Sequence, residues 1–584
     1  MNDTLSNILH IDLSRKRFWT EDRNELFNEM IGGSGVAINL LEQECPKGID
    51  PLAPENPIIL AVGPLTGLYP IASKTVAMFK SPLTGNLGES HCGGRSAVAI
   101  RFAGYGAIII KGASETPVYL SIHGDKVRFR DASVIWNMAN SYTVGRILRE
   151  KESGSGIRSI MRIGRAGENQ VSYASVVTET YRHFGRLGLG AVFGSKQLKA
   201  LVISGKKNIP VSDMKGYRET YKEIFKLLST AEMRKYHELG TSMNIIPLNK
   251  LGALPAKNLQ TSKFENAEAI SGETFEKNFL GRRVSCAHCP VACIHLAALR
   301  EAYESEPYFY KTEMISYDYE LIYALGSMLG ITSPQALLKL MDEVEILGLD
   351  AMSTGVALAW ATEAQQKEII TTKETNGLKL KWNDEESYSK AINYIAAQVN
   401  EFYKTLGKGV TYASSKYGGK EFALAFGGNE MPGYHTGPAT HLGFLIGSRH
   451  SHLDGAGYSI DQKALAKNSK PSATEIIDKL IEEEAWRQIL SSLVICFFAR
   501  GIYKPELISK AFKPIGKEFT EEQLKTIGLR ILKQKYRFKK REGFSLKNLE
   551  IPERIFQTET PSGKLSKEIF NEGLKIAELK LTSI

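Results

Sequence analysis

The sequence predicts an α+β protein in which a β-rich amino-terminal domain is followed by two mainly helical domains. Residues 1–208 contain short apolar runs that alternate with polar positions and are divided by Gly-rich turns, a pattern typical of strands. After Val211 apolar residues recur at spacings of three and four, which is the period of an amphipathic helix. We therefore expect domains at residues 1–208, 209–410 and 411–584.

The first domain is expected to begin with a hairpin, because residues 8–12 and 16–20 alternate apolar and polar side chains across a turn. Further strands are predicted at residues 58–62, 107–111, 118–123 and 126–130, and the domain ends near residues 201–205. The Gly-rich turn at residues 32–35 lacks the final glycine of a dinucleotide fingerprint, and no Walker lysine follows any Gly-rich loop. The sequence therefore does not indicate nucleotide binding.

Helices are predicted in the rest of the chain, and Pro and Gly separate them, as at Gly348 and Pro514. Their periodic segments are residues 214–228, 336–347, 354–370, 385–401, 476–500 and 521–535. No low-complexity stretch or short repeat interrupts this pattern.

The composition indicates a globular protein, since 43% of the 584 residues are hydrophobic. No apolar run reaches the roughly 18–20 residues of a membrane helix, so we expect no membrane insertion. The first residues show no basic region followed by an apolar core, so we expect no signal peptide. Six cysteines are too few for a disulfide framework, and a cytoplasmic, reducing location is expected.

The net charge of +10 is concentrated near the carboxyl end. Between residues 504 and 547 there are thirteen Lys or Arg and five Glu. The densest run, residues 533–541, consists largely of cations: Lys533, Lys535, Arg537, Lys539, Lys540 and Arg541. Such a run is either a solvated helix face or a docking surface for an acidic protein.

Three cysteines within eight residues, Cys286, Cys289 and Cys293, have the spacing C-x2-C-x3-C. Three thiolates this close can converge on one soft metal centre, and a fourth ligand must come from elsewhere. A [4Fe–4S] cluster would take a distant cysteine as that ligand, whereas a zinc ion could take His288 or His295. The spacing alone leaves both alternatives open.

Two other classes of protein fit the sequence less well. A zinc-stapled nucleic-acid-binding protein could use the basic segment, in which Tyr536 and Phe538 are interleaved with the cations. The β-rich domain would have no role in such a protein, so we expect no nucleic-acid partner. A radical-generating adenosylmethionine enzyme has its longer cysteine gap first, whereas the longer gap is second here.

Several strings point to one family. They are Gly63-Pro-Leu-Thr-Gly67, Lys80-Ser-Pro-Leu-Thr-Gly-Asn86, Cys92-Gly-Gly-Arg95, Gly167-Glu-Asn169 and the Gly-rich run from Gly185 to Ala200. On these strings the chain resembles the aldehyde ferredoxin oxidoreductase family of tungsten enzymes, and the resemblance runs from Gly32 to Phe544.

The resemblance implies that the β-rich domain is a base carrying a tungsten (or molybdenum) bis-pterin cofactor, which the two helical domains cover. It implies a [4Fe–4S] cluster bound by the cysteine triad and one distant cysteine, which corresponds to Cys496. Cys45 and Cys92 are then expected to be small packing residues. A magnesium ion that bridges the pterin phosphates belongs to the same expectation.

Two family motifs for pterin binding, D-x-x-G-L-D and D-x-x-G-L-C, correspond to residues 345–350 and 491–496 here. Glu345 keeps the charge of the first aspartate, whereas Ser491 loses that of the second, and Val494 replaces a glycine. Lys74 and His91 stand where the family has an arginine and an asparagine. The residues assigned to cofactor binding are Lys74, His91, Gly93, Gly94, Arg186, Gly188, Glu345, Gly348, Leu349, Asp350, Ser491 and Ile495.

The resemblance also implies catalytic residues. Glu320 opens an apolar helical stretch at the position of the family's catalytic glutamate, where desolvation would raise its pKa. A histidine partner is expected at His452 or His450, and Tyr434 corresponds to a tyrosine that faces substrate in some members. The iron site of some family dimers would fall near Lys339 and Asp342, and without a histidine there we expect it to be absent.

The implied function is oxidation of a small aldehyde to a carboxylic acid, with electrons passing through the cluster to ferredoxin. The alternative in the same superfamily is a catalytic subunit of a larger iron–sulfur complex that reduces an acid or a thioester-activated substrate. Ferredoxin or a ferredoxin-like subunit is therefore the expected partner, in a homodimer or a heteromeric complex, and residues 533–541 are its expected docking segment.

Overall fold

The computed structural model describes residues 3–138, 140–154, 156–303 and 305–582. Its amino-terminal part begins with one six-stranded sheet: β1 (Asn7–Asp12), β2 (Arg17–Asp22), β3 (Ile58–Ala61), β4 (Thr75–Lys80), β5 (Leu87–Cys92) and β6 (Ala107–Lys111). The strand order is β2-β1-β6-β3-β4-β5, and only β1 and β6 pair in parallel. The predicted hairpin is confirmed as β1 and β2.

The second six-stranded sheet follows in the chain: β7 (Val118–His123), β8 (Lys126–Asp131), β9 (Ile157–Arg162), β10 (Val176–Thr178), β11 (His183–Phe184) and β12 (Leu198–Gly205). The helices of this part are α1 (Asn24–Met30), α2 (Gly33–Glu44), α3 (Ser96–Ala103), α4 (Ser141–Lys151), α5 (Arg165–Glu168) and α6 (Leu189–Ser195). One apolar core joins the two sheets, with Leu60 and Ile108 from the first and Leu120 and Leu201 from the second.

The remaining chain is mainly helical, as predicted. It comprises α7 (Met214–Leu228), α8 (Ala231–Glu238), α9 (Ile245–Leu251), α10 (Gly272–Asn278), α11 (Tyr319–Leu325), α12 (Pro334–Leu347), α13 (Ala351–Gln366), α14 (Glu385–Ala397), α15 (Glu401–Leu406), α16 (Val410–Tyr417), α17 (Pro438–Ile446), α18 (Gly457–Ala466), α19 (Ala473–Ser492), α20 (Pro505–Phe512), α21 (Glu521–Arg541), α22 (Arg554–Gln557) and α23 (Lys567–Thr582). Short 3-10 turns lie between several of them. The α+β class is therefore confirmed, while the domain boundaries at residues 208 and 410 stay a prediction.

Two helix ends matter for the site, and one of them differs from the prediction. The helix predicted over residues 476–500 ends at Ser492, because Val494 takes a left-handed conformation with φ of 53° and turns the chain out of α19. α12 ends as the sequence indicates, with Gly348 at φ of 72°. The next helix begins at once, because the Asp350 side chain accepts a hydrogen bond from the Met352 N–H and caps α13.

A small antiparallel sheet interrupts the helical part, and periodicity did not reveal it. Its strands are β13 (Leu280–Val284), β14 (Ile294–Ala302) and β15 (Tyr310–Tyr317), and β14 lies in the middle. A two-stranded hairpin, β16 (Ala425–Phe426) and β17 (Asn429–Glu430), follows later. The three clustered cysteines lie in the loop between β13 and β14, so their loop is held at both ends by paired strands.

The basic run at residues 533–541 is not the free cationic surface that its composition suggested. Helix α21 packs against the first sheet through Ile531 and Phe538, which carries part of the run into the core. Lys535 and Lys539 are buried, at 1% and 0% exposure. Lys535 forms an ion pair with the equally buried Glu89.

The exposed part of the run is also partly neutralised. Arg537 binds Glu42 at 2.8 Å from Nε to Oε1, and Arg541 binds Glu542 at 2.8 Å. Two members of the run, Lys533 and Lys540, are exposed and have no ion pair among the described residues. The run is therefore less cationic at the surface than expected, because Lys535 and Lys539 lie in the core and acids pair with Arg537 and Arg541. Its role as a docking surface stays a prediction.

Among the described residues no single helix is long and apolar enough to cross a membrane. Tyr319–Leu329 and Pro334–Leu347 pass that test only together, across a bend of 115°, and both belong to the main apolar core.

Candidate active site

A cavity of about 360 Å³ lies where the β-rich part meets the helical part. Two larger surface clefts, of about 1170 and 1150 Å³, contain none of the predicted site residues. The predicted site residues that line the cavity are Lys74, His91, Gly93, Arg186, Cys286, Cys289, Cys293, Glu320, Glu345, Leu349, Asp350, Tyr434, His452, Ile495 and Cys496. Gly94, Gly188, Gly348, Ser491 and His450 do not line it.

The four cysteines of the predicted cluster reach this cavity from two distant parts of the chain. Cys286, Cys289 and Cys293 come from the β13–β14 loop, and Cys496 follows the turn that ends α19. No group of three or more His, Cys, Asp or Glu side chains in the described part of the chain is arranged to hold a single metal ion. Cys92 lies outside the set and places its Sγ 3.1 Å from its neighbour's carbonyl, that of Gly93.

Backbone hydrogen bonds hold these segments together. The N–H of Ala287 donates to Gly94 at 2.8 Å, and that of Ile71 donates to His288 at 3.0 Å. The N–H of Cys496 then donates to Ile71 at 3.2 Å. Ile71, His288 and Val494 all have positive φ, at 69°, 56° and 53°. Several unfavourable backbone conformations are therefore concentrated where the cysteine segments meet, as is common at functional sites.

Two half-buried cations lie beside the cysteines. Burial alone would lower the pKa of Lys74, but the neighbouring thiols of Cys496 and Cys286, in their anionic form, outweigh it and raise the pKa. The same balance raises the pKa of Arg182, whose Nη2 lies 4.0 Å from Sγ of Cys293. Both side chains therefore stabilise negative charge on this part of the cavity wall.

Arg182 was not predicted, and neither was Asp318, which lies 3.9 Å from the Arg182 guanidinium and caps α11. Arg182 belongs to no recognised motif, so the sequence offered no signal for it. Asp318 stands two residues before Glu320 at the start of a helix, which is the usual place of an N-cap. That position could have indicated the residue, although not its partner.

Gly93 shows how closely the β5 turn approaches the cysteine loop. A Cβ atom at this position would lie 2.9 Å from Sγ of Cys286 and 3.4 Å from Nζ of Lys74. A side chain here would therefore displace the cysteine or the lysine. Gly94 is equally restricted, since its φ is 96° and a Cβ would lie 2.2 Å from Oγ1 of Thr180.

His91 links the cavity to a buried charge pair. Its Nε2 lies 2.7 Å from Oε1 of Glu89, which also accepts a hydrogen bond from Ser34 at 2.6 Å. Burial alone would raise the pKa of Glu89, but the Lys535 ammonium outweighs it and holds the pKa well below the usual range. Since Glu89 is ionised, it can only accept, and the proton of His91 lies on Nε2.

Glu320 lies at the start of α11 with its carboxyl group in the cavity. The N–H of Gly433 donates to Oε2 at 3.1 Å, and Oε1 lies 3.4 Å from Nε2 of His452 without forming a hydrogen bond. Burial raises the pKa of Glu320 to about 8. The carboxyl group can therefore hold or release a proton near neutral pH.

His452 and Tyr434 complete this part of the wall. Their ring centroids lie 5.3 Å apart, and Tyr434 stacks on Tyr458 at 4.7 Å. Burial, with the charge of Arg186, lowers the pKa of His452 to about 3, so the imidazole is neutral. Its Nδ1 is buried and has no hydrogen-bond partner among the described residues.

His450 points away from the cavity, so its position does not support the predicted catalytic role. Its Nδ1 lies 2.9 Å from the carbonyl of Phe444, and its Nε2 lies 2.9 Å from Nζ of Lys539. In an extended segment, two residues at positions i and i+2 would point to the same side. The chain is not extended here, because His450 has φ of 56° and the backbone turns between His450 and His452.

The first pterin motif shapes the opposite wall through charged pairs. Arg186 donates from Nε to Asp350 at 3.2 Å and from Nη2 to the carbonyl of Glu430 at 2.7 Å. Its Nη1 is buried and has no hydrogen-bond partner among the described residues. Glu345 pairs with His183, which the sequence did not indicate.

In the second motif, Val494 takes the conformation that the family's glycine would favour, with φ of 53°. Ser491, where the family has an aspartate, is buried at 4% exposure and does not line the cavity. The two motifs therefore differ in this chain: the first presents carboxylates to the cavity, whereas the second contributes Ile495 and Cys496 and no carboxylate.

At the position of the family's additional iron site, Lys339 binds Glu301 at 2.9 Å. Asp342 is mostly buried, and burial raises its pKa to about 7. The expectation that this chain lacks the iron site stays a prediction.

Comparison with known proteins gives matches over nearly the whole chain. A family model for the N-terminal domain of aldehyde ferredoxin oxidoreductase matches residues 8–205, and a model for its domains 2 and 3 matches residues 219–580. Proteins named tungsten-containing aldehyde ferredoxin oxidoreductase, from Thermococcus kodakarensis and Pyrococcus furiosus, are each 32% identical over 572 residues, covering 95% of this chain and 92% of theirs.

Two further matches show the breadth of the group. The aliphatic sulfonate oxidoreductase, WOR-like subunit, of Pyrococcus furiosus is 30% identical and covers 90% of this chain and 84% of its own. A solved structure, the active site complex BamBC of benzoyl coenzyme A reductase with 1,5-dienoyl-CoA, has a TM-score of 0.79 at 21% identity. It covers 99% of this chain and 95% of that one, which establishes a shared fold.

Proposed function

The chain belongs to the aldehyde ferredoxin oxidoreductase family, and on this premise we propose that it oxidises an aldehyde to a carboxylic acid at a tungsten (or molybdenum) bis-pterin centre. The electrons would leave through a [4Fe–4S] cluster to ferredoxin or a ferredoxin-like subunit. One observation carries the proposal: the four cysteines and the Glu320–His452 pair line the same cavity.

The residues present fit the groups that the family implies. Arg186 Nη1, Glu320 Oε1 and His452 Nδ1 are buried polar atoms without hydrogen-bond partners among the described residues, and all three side chains line the cavity. Such atoms need a partner, because an unsatisfied buried polar group costs about 1–3 kcal/mol. A polar cofactor with its substrate would supply one.

The cluster would be held by Cys286, Cys289, Cys293 and Cys496. Burial raises the pKa of the Cys293 thiol to about 11, so the thiolates would form only when a metal takes the place of the protons. Lys74 and Arg182 would offset the negative charge of the assembled site. Lys74, as a point charge, also suits a phosphate of the pterin cofactor, for which a bridging magnesium ion remains part of the proposal.

The bound metal centre would supply a Lewis acid and an acceptor for two electrons. Conversion of an aldehyde and water into a carboxylic acid releases two protons with these electrons, and Glu320 is the group placed to take one. Gly433 holds one oxygen of its carboxyl group, which leaves the other directed towards His452. Neutral His452 would orient substrate or water, and Tyr434 with Tyr458 would exclude bulk water.

A second candidate is a catalytic subunit of a larger iron–sulfur complex that reduces an acid or a thioester-activated substrate. The similarity to a protein named as a subunit of a sulfonate oxidoreductase supports this candidate, because that protein is part of a larger assembly. In that case a ferredoxin-like subunit would copurify with the chain under anaerobic conditions.

Elemental analysis and an aldehyde assay on anaerobically purified protein test the main proposal. We expect tungsten or molybdenum, about four irons per chain for one cube, and aldehyde-dependent reduction of a dye. Metal-loaded protein that oxidises none of a panel of aliphatic and aromatic aldehydes, but reduces carboxylic acids or thioesters, would support the second candidate instead.

A further inference from the structure

Behind the wall that Asp350 forms lies a second buried acid, Glu430. It ends β17, is 0% exposed and does not line the catalytic cavity. Its Oε1 accepts a hydrogen bond from the N–H of Val410 at 3.0 Å. Its other oxygen contacts Ser353, which lies on α13 and is also 0% exposed.

The Ser353 hydroxyl lies between two carboxyl groups. Its Oγ is 2.5 Å from Oδ2 of Asp350 and 2.6 Å from Oε2 of Glu430. A hydroxyl has one hydrogen, so it can donate to one of these oxygens only, and an ionised carboxylate can only accept. Both contacts are satisfied if one of the two carboxyl groups is protonated and donates to Oγ.

The surroundings of the two acids indicate which one carries the proton. Asp350 accepts hydrogen bonds from Nε of Arg186 at 3.2 Å and from the N–H of Met352 at 3.0 Å, both of which favour an anion. Glu430 has one backbone N–H on its outer oxygen and no cation on its carboxyl group among the described residues.

The electrostatic environment agrees with this assignment. Burial raises the pKa of Glu430, and the charge of Asp350 raises it further, whereas Ser353, Val410 and the charge of Arg186 oppose the shift without cancelling it. Among the described residues Tyr173 also faces both acids; it is fully buried and its pKa lies well above its usual value, so it is neutral.

On its outer side Glu430 approaches a surface cleft of about 1170 Å³. A Cβ atom at Gly409 would lie 2.9 Å from Oε1 of Glu430 and 2.7 Å from Cδ1 of Leu83, which lines that cleft. Lys408 and Thr411, on either side of the Gly409–Val410 segment, line it as well. A single glycine therefore separates the carboxyl group from the cleft wall.

We propose that Glu430, Ser353 and Asp350 form a relay that carries protons between the catalytic cavity and this cleft, with Glu430 as the residue that stores the proton. The stored proton follows from three contacts: Ser353 with Asp350, Ser353 with Glu430, and Arg186 with Asp350. The direction of proton transfer, from the cavity to the cleft, rests on the proposed function, in which aldehyde oxidation releases protons into a buried cavity.

The transfer is balanced at each step. In the resting state the Glu430 hydroxyl donates to Ser353, and Ser353 donates to the Asp350 carboxylate. The Glu430 carboxyl group first rotates its hydroxyl from Ser353 towards the Gly409 side and releases the proton to water that enters from the cleft. Asp350 then takes a proton from the cavity and gives it to Oγ of Ser353, while Ser353 gives its own to Glu430. One proton leaves the cavity, the negative charge returns to Asp350, and no oxidant or reductant is needed.

Infrared spectroscopy of the purified full chain tests the stored proton without reference to activity. The difference spectrum between the parent protein and Glu430→Gln should contain the C=O band of a protonated carboxyl group, and this band should shift in D₂O. In Ser353→Ala the band should move to higher frequency, because the hydrogen bond that the acid donates is lost. Spectra of the parent and both variants that coincide in this region overturn the inference.

Turnover and stability together test the relay. The amide of glutamine can donate to Ser353 as the protonated acid does, so Glu430→Gln should keep the melting temperature of the parent. It cannot pass a proton on, so turnover with a dye acceptor should fall about 10- to 10²-fold, with an enlarged solvent isotope effect. Ser353→Ala should show the same loss, and Ser353→Thr, which keeps a hydroxyl, should restore turnover.

Unchanged turnover in both Glu430→Gln and Ser353→Ala overturns the relay. The two ideas fail separately, because an infrared band without any aldehyde oxidation keeps the stored proton and contradicts the proposed function. Aldehyde oxidation without the infrared band supports the proposed function and contradicts the stored proton.

Discussion

Oε1 of Glu320 lies 3.4 Å from Nε2 of His452, and Oε1 has no hydrogen-bond partner among the described residues. The two residues come from α11 and from the loop after α17, which places a titratable carboxyl group and a neutral imidazole on one wall of the cavity. The remaining wall carries the cysteines and the Arg186–Asp350 pair. This separation of proton-handling groups from thiols is the basis for the first two predictions.

Replacement of Glu320 by glutamine should lower turnover by about 10²–10⁴-fold, the usual contribution of general acid–base catalysis. Gln has nearly the same shape and can still accept the Gly433 hydrogen bond, so the metal content should stay normal. Steady-state assays with an aldehyde and a dye, together with metal analysis, check this. Activity within about twofold of the parent would refute the role.

The same carboxyl group should make stability depend on pH. Its pKa in the folded protein, about 8, lies above the ordinary value of 4.5 for a glutamate, so the folded state binds the proton more tightly. This contribution is fully present below the unfolded pKa and is lost as the pH rises through about 8. Thermal unfolding at pH 6 and pH 9 should therefore show a larger loss for the parent than for Glu320→Gln, and equal losses would contradict the buried, protonated state.

Replacement of Cys496 by alanine should abolish or degrade the signal of a four-iron cluster in electron paramagnetic resonance. Cys92 provides a matched control, since it is buried near Lys74 and Cys286 but is not part of the proposed ligand set. Cys92→Ala should leave the signal intact. An unchanged four-iron signal in Cys496→Ala would show that another residue is the fourth ligand.

The close approach of Gly93 to Cys286 should make this glycine necessary for cluster binding. In Gly93→Ala the new methyl group would lie 2.9 Å from Sγ of Cys286, so iron content should fall markedly. Gly501→Ala is the control, because no atom lies within 4 Å of the corresponding Cβ. Iron analysis and circular dichroism separate loss of the cluster from loss of the fold, and full iron content in Gly93→Ala would contradict the packing.

Two lysines of one basic run should differ sharply in their effect on stability. Lys535→Met leaves Glu89 buried without its cation, and removal of one partner of a buried ion pair typically costs about 3–5 kcal/mol. Lys533→Met removes an exposed charge and should change the free energy of unfolding by less than about 0.5 kcal/mol. Equal changes in the free energy of unfolding for the two variants, measured by denaturant titration, would show that the buried Lys535–Glu89 ion pair does not stabilise the protein.

The sequence predicted the helices that carry the site better than it predicted their ends. Periodicity located α12, α13 and α19, and the glycine at position 348 predicted where α12 ends. The sequence did not show that α19 ends before Cys496. The helix ends at a left-handed turn at Val494, and a β-branched residue rarely adopts that conformation. The turn is imposed by tertiary contacts, including the hydrogen bond between Lys74 N–H and the Val494 carbonyl at 3.1 Å.

The chemistry of the cavity was predicted through the cysteines and Glu320, while the groups that set their charge were missed. Arg182 immediately precedes the two-residue strand β11 and His183 begins it, and so short a strand shows no alternation to recognise. The expectation that the basic run is a dense, unpaired cationic surface was wrong for a related reason. A local charge count cannot show that Glu89 and Glu42 come from distant elements to meet Lys535 and Arg537.

The wide separation of Cys496 from the other three cysteines along the chain has a consequence for biosynthesis. A ribosome must complete most of the protein before the last cysteine emerges, while the β13–β14 loop has long been exposed. Bringing Cys496 to the other three cysteines closes a long loop, and the entropy lost in closing it opposes metal binding before the chain has folded. If Cys496 is the fourth ligand, as proposed, insertion of iron and sulfur would follow docking of the carboxyl-terminal helices. Nascent chains truncated before residue 496 should then be poor substrates for the cell's cluster-assembly machinery.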